Sequence, residues 1–208
     1  MANVLLFHHA LGLTAGMDAF ADVLREAGHM VTVPDLYDGH VFGDLEEGVA
    51  HASEIGMDAI EELGVQIAGR FPPDMVYIGF SLGVMPAQRL AQTRPGARGA
   101  VLVSACLPLG TYGDTWPAGV PVQIHGMDAD PYFAEEGDLD AAENLAASSP
   151  DADLILYMGA SHLFADISQP DFDMDASFAF TRMVLQLLDQ VDAKPADAKP
   201  ADAEPRDA

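Results

Sequence analysis

Lysine is almost missing from this chain. Of 208 residues only Lys194 and Lys199 are lysine, and both fall in the last sixteen. Residues 1–192 therefore offer no Schiff-base lysine and no lysine for a phosphate-binding loop. Cysteine is reduced to Cys106, which excludes an internal disulfide framework and a multi-thiolate zinc site. Basic residues number 9 against 33 acidic ones, for a net charge of −24. Nucleic acid and anionic membrane surfaces repel such a surface and are excluded as partners. Long apolar runs are missing too. Val4–Phe7 is too short for a signal-peptide core or a membrane span, and Met1-Ala2-Asn3 carries no positive charge. The sequence reads as a soluble, cytoplasmic chain of bacterial type. Half of its residues are apolar, enough for the core of one domain.

The composition changes at residue 193. From there AKPADAKPADAEPRDA repeats a Pro-Ala-Asp pattern with no large apolar residue. Such a segment cannot offset the entropy of ordering, so a disordered tail is expected over 193–208 and a folded domain over 1–192. Within that domain, short apolar runs are predicted as strands at Val4–His8, Met30–Val33, Met75–Phe80, Ala100–Ser104, Val120–His125 and Leu154–Met158. They are nearly continuous rather than alternating, which suits strands buried on both faces. Helical spacing predicts helices over Asp18–Ala27, Glu54–Arg70, Leu82–Thr93, Leu139–Ala147 (with Asp138 as cap) and Ala176–Val191. The alternation argues an α/β fold, with a mostly parallel sheet of about six strands and helices on both faces. Ligands of such sheets bind beyond the carboxyl ends of the strands.

At one such end stands Gly79-Phe80-Ser81-Leu82-Gly83. A G-x-S-x-G segment between a strand and a helix suits a serine nucleophile on a sharp turn, because the turn needs small flanking residues. The bland alternative is a tight structural turn. A serine nucleophile needs a base and an orienting acid. Downstream of Ser81 the histidines are His125 and His162. His162 lies in a loop after the last strand, where it can reach Ser81, whereas His125 ends a strand and reads as structural. Asp128 and Asp130 follow the fifth strand, and either can orient the imidazole. The oxyanion hole needs two N–H donors, expected from Leu82 and from Ala10 in the loop after the first strand. His8 and His9 are adjacent, so in a strand they face opposite ways. A metal site would need further ligands such as His40 or His125, and no metal or cofactor is implied.

Four segments together, FHHALGLTAGM, VTVPDLYDG, GFSLG and GASHLFAD, resemble the dienelactone hydrolase-like branch of the α/β-hydrolases. The resemblance covers roughly residues 4–190. It implies an α/β-hydrolase fold without a separate lid domain, Ser81 as nucleophile, Asp130 as acid and His162 as base. Three departures stand out. Ser81 replaces the archetypal cysteine, His9 falls where the archetype has a glutamate, and Asp166 replaces an arginine that holds a substrate carboxylate.

The expected activity is hydrolysis of a small, neutral ester or lactone through an acyl-enzyme, in an open, shallow cleft. Expected pocket walls are His9, Leu11, Tyr37, Met85, Phe133, Leu163 and Phe164. The alternatives are a catalytically silent binding protein of the same fold, and acyl transfer to an acceptor other than water. No sequence signature specifies an oligomeric state.

Overall fold

Strands form at β1 (Asn3–Phe7), β2 (Met30–Thr32), β3 (Met75–Phe80), β4 (Gly99–Val103), β5 (Val122–Met127) and β6 (Ala152–Tyr157) in the computed structural model, which describes residues 1–193. The four inner strands are buried almost throughout, whereas the edge strands β2 and β6 are only partly covered. They form one sheet in the order β2-β1-β3-β4-β5-β6, every pair parallel. Parallel pairing requires crossovers, supplied by α1 (Ala15–Glu26), α2 (Leu45–Ile55), α3 (Met57–Ala68), α4 (Val84–Thr93), α5 (Pro131–Glu135) and α6 (Asp138–Ser148), with α7 (Met174–Ala193) closing the fold.

Strand side chains alternate between two cores. Leu5, Phe7 and Tyr77 pack with α2, α3, α4 and α6 on one face. Val4, Leu6, Ile78 and Val101 pack with α1 and α7 on the other. This is the α/β-hydrolase arrangement expected from the sequence. The chain leaves β1 toward one edge, to β2, and returns to pair β3 on the other side of β1. That reversal opens a crevice at the carboxyl ends of β1 and β3.

The helices differ from expectation in several places, and the short α5 has no counterpart among the expected helices. The single helix predicted over Glu54–Arg70 is two, broken where Gly56 adopts φ 98°. The first of the two starts at Leu45, well before Glu54, and is capped by Asp44 on the N–H groups of Glu46 and Glu47. Asp138 is not the cap of α6. Gly137 takes that place, and Asp138 accepts the Cys106 N–H instead. Ala193, expected in the tail, is the last residue of α7. The rest of the expected tail, 194–208, lies outside the described residues. Among the described residues no helix is long and apolar enough to cross a membrane.

Candidate active site

The turn after β3 carries the first candidate residue. Ser81 has φ 47°, a left-handed conformation that costs a non-glycine residue about 1–3 kcal/mol. Its surroundings impose it. A Cβ on Gly79 would lie 2.3 Å from the Gly83 carbonyl oxygen, and one on Gly83 would lie 2.4 Å from that of Phe7. The two glycines of the motif thus let the elbow cross directly over β1. The chain continues as a single 3-10 turn, Ser81–Gly83, into α4.

Ser81 Oγ stands 2.8 Å from His162 Nε2, and His162 Nδ1 stands 2.7 Å from Asp130 Oδ2. With the Nδ1–H donating to the carboxylate, Nε2 is left to accept the serine hydroxyl. Asp130 is fully buried. Its other oxygen accepts the Tyr132 N–H as the N-cap of α5, so both oxygens are committed. Asp128, the alternative acid, is exposed and accepts the Gly159 N–H. His162 is also held by its backbone, whose carbonyl accepts the Ser104 hydroxyl at 2.7 Å. The Tyr132 ring lies against its imidazole, with centroids 4.8 Å apart. Motif reading does not find Ser104. Its signal is positional, since it directly follows β4 at a carboxyl strand end.

A cavity of about 290 Å³ opens over this group, with Ser81, Leu82, His162 and Ala10 among its lining. Leu45, Val49 and Met57, from α2 and α3, make an apolar wall. The lining also includes Ala105 and Tyr132, with the carboxylates of Glu136 and Asp138. Burial pushes the Asp138 carboxyl above its ordinary range. None of the lining residues is a lysine or arginine.

The expected pocket walls lie elsewhere. Tyr37 and Phe133 belong to the core on one face of the sheet, and Phe164 to the core on the other. Leu11 and Leu163 are buried, and Met85 packs partly buried against the core. The reason is common to all of them. The walls come from α2 and α3, and the start of α2 carries too few large apolar residues to be read as a helix.

His9 also faces away from the cavity. Its Nδ1 accepts the Leu11 N–H, which places the proton on Nε2, 2.7 Å from Asp166 Oδ2. Asp166 does not reach the cleft either. It is buried and accepts from His9, Thr14 and Ser168. Burial alone would push its carboxyl up, but the hydrogen bonds from His9, Ser168 and Thr14 outweigh this and hold it at about 2. Two of the three positions that depart from the family archetype, His9 and Asp166, are therefore partners, and they tie the loop after β1 to the loop of His162.

His8 is equally enclosed. Its Nδ1–H donates to the His9 carbonyl, its Nε2 accepts the Leu36 N–H, and burial lowers its pKa to about 4. His125 lies inside β5 between Tyr157 and Gln123, and burial lowers its pKa to about 3. Both are neutral structural groups. Among the described residues no three His, Cys, Asp or Glu side chains converge to hold a metal ion.

Solved structures share the architecture. A dienelactone hydrolase-like promiscuous phosphotriesterase from metagenomic libraries superposes with a TM-score of 0.71 at 20% identity, over 92% of this chain and 87% of its own. A cold-adapted esterase from an Arctic intertidal metagenomic library gives 0.61 at 16%, over 90% and 82%. Esterase PE8 gives 0.61 at 19%, over 90% and 93%. At these identities the likeness is one of fold. A search of curated proteins finds no significant match. The sequence model of the dienelactone hydrolase family matches residues 1–191, and the chain belongs to that family.

Proposed function

We propose that this protein is a serine hydrolase that cleaves small, neutral carboxylic esters or lactones. The hydrogen-bonded series Ser81–His162–Asp130, with Ser81 and His162 on the cavity lining, carries the reading. His162 Nε2 takes the Ser81 proton as Oγ attacks the ester carbonyl, and the carbonyl π electrons move onto oxygen. The N–H groups of Leu82 and Ala10 stabilise that oxyanion. The tetrahedral species collapses, the C–O bond to the alcohol breaks, and His162 returns the proton to the leaving oxygen. Water, deprotonated by His162, then attacks the acyl-enzyme and releases the acid and Ser81. Asp130 holds the imidazole in its tautomer and faces the imidazolium formed in both halves.

Substrate size and charge follow from the cavity. Leu45, Val49 and Met57 suit a short apolar arm, and a wall with two carboxylates and no cation disfavours an acid group. The test is covalent labelling. A fluorophosphonate is expected to modify Ser81 stoichiometrically, and Ser81→Ala to lower ester turnover by about 10³-fold or more. Labelling at another serine, or an active Ser81→Ala protein, refutes the mechanism.

A further inference from the structure

A helix that packs one face on a core should turn a polar face to solvent. α7 does not. Its inner face buries Ala176, Phe180, Val184, Leu187, Leu188 and Val191. On the outside Met174 and Phe178 are each 72% exposed. With Thr181 and Leu185 they line an apolar groove of about 450 Å³, completed by Phe172 and by Val23 of α1. The stripe 174, 178, 181, 185 has the alternating four-and-three spacing of a helix-pairing seam.

Charge at the groove is equally specific. Arg182 lines it and makes no ion pair or hydrogen bond among the described residues, in a chain with 33 acidic groups. The acidic neighbour on the same exposed flank, Asp175, also has no such partner among the described residues. The two are seven residues apart, about 10 Å along the helix axis, too far to meet within one chain. They lie three residues before and four residues after Phe178.

We propose that this face of α7 is a homodimer interface, in which a second copy of the chain packs its own α7 antiparallel across a twofold axis near Phe178. That symmetry makes the patch complementary to itself. It seats each Phe178 in the partner's groove and brings each Asp175 to the partner's Arg182, forming two reciprocal ion pairs beside the apolar seam. A second copy supplies both the apolar stripe and the matching acid. The face lies on α1 and α7, away from the α2 and α3 wall of the catalytic cavity, so both sites remain open to substrate.

Sedimentation of the full chain tests the proposal. At micromolar concentration in about 0.5 M salt, where the repulsion between two strongly acidic copies is screened, the expected mass is twice the 22.0 kDa of one chain. Phe178→Glu is expected to raise the dissociation constant about a hundredfold, as for a central interface residue. Asp175→Arg and Arg182→Asp alone are each expected to weaken the dimer about fivefold or more, and the double variant to recover it. The recovery separates pairing from simple loss of fold, so the charge exchange decides the matter if Phe178→Glu does not fold. A monomeric wild type, a dimer indifferent to Phe178→Glu, or a double variant no better than the singles overturns it.

Discussion

Replacing Asp166 with asparagine changes one buried charge and almost no volume. The carboxylate accepts His9 Nε2–H and the Thr14 hydroxyl on one oxygen, and the Ser168 N–H and hydroxyl on the other. An amide has a single oxygen. Whichever way the asparagine side chain turned, its NH₂ would meet either the His9 N–H or the Ser168 N–H, and a buried donor would lose its acceptor. The His9 proton cannot move to Nδ1 without giving up the Leu11 N–H.

The carboxyl lies at about 2 when folded against an ordinary 3.8. A lowered folded-state pKa stabilises the protein above the unfolded value, and the effect fades as pH falls toward the folded value. Full ionisation is worth about 2 kcal/mol at pH 7 and about half that at pH 3. Asp166→Asn should therefore cost about 2–3 kcal/mol at pH 7, or roughly 5–10 °C in melting temperature for a chain of this size. Denaturant unfolding at pH 7, 5 and 3, followed by far-UV circular dichroism, measures the gap between variant and wild type. It should be constant from pH 7 to 5 and clearly narrower at pH 3. A gap that does not change with pH would refute the ionic argument. A variant as stable as the wild type would refute the pairing altogether.

Two further outcomes concern the site. Asp130→Asn should lower turnover by about 10²–10⁴-fold through loss of the imidazole's tautomer, whereas Asp128→Asn, on an exposed turn at Gly159, should leave steady-state rates near wild type. The reverse order would show that the acid lies on the turn. A substrate pair differing only in a free or methylated carboxylate should favour the methyl ester by more than about tenfold in kcat/KM, equivalent to about 1.4 kcal/mol. Equal rates for the free acid would place a cation in the cavity.

What the sequence makes legible is the part governed by local rules. β3 runs over Met75–Phe80 as its apolar pattern predicts, and Gly79 and Gly83 announce the elbow because backbone approach there tolerates no side chain. Chain order at strand ends reaches His162 and narrows the acid to Asp128 or Asp130, and only the resemblance to the family picks Asp130. The walls are not. Gly48 near the start of α2 reads against a helix, but it is there because a Cβ would lie 2.3 Å from the Ala10 carbonyl oxygen. A long-range contact chose the residue, and local propensity points the other way. Tyr37, Phe133 and Phe164 escape a sequence reading for the same kind of reason. Sequence places them near the site along the chain, and only the packing decides which side of the loop each ring fills. The partnership of His9 with Asp166 spans 157 positions and has no local signature at all.

The two committed oxygens of Asp130 have a consequence for how the enzyme matures. One oxygen needs the first turn of α5 and the other needs the loop of residue 162, while the serine it serves through the imidazole waits on β3. These parts follow β3, β5 and β6, and in the folded sheet β4 lies between β3 and β5. Parallel pairing of this kind relies on distant contacts and forms slowly. A collapsed chain with its helices formed would still hold an ordinary serine. Under the proposed function, reactivity at Ser81 would thus depend on the completed sheet, and labelling of Ser81 by a fluorophosphonate would mark the end of folding rather than any step within it.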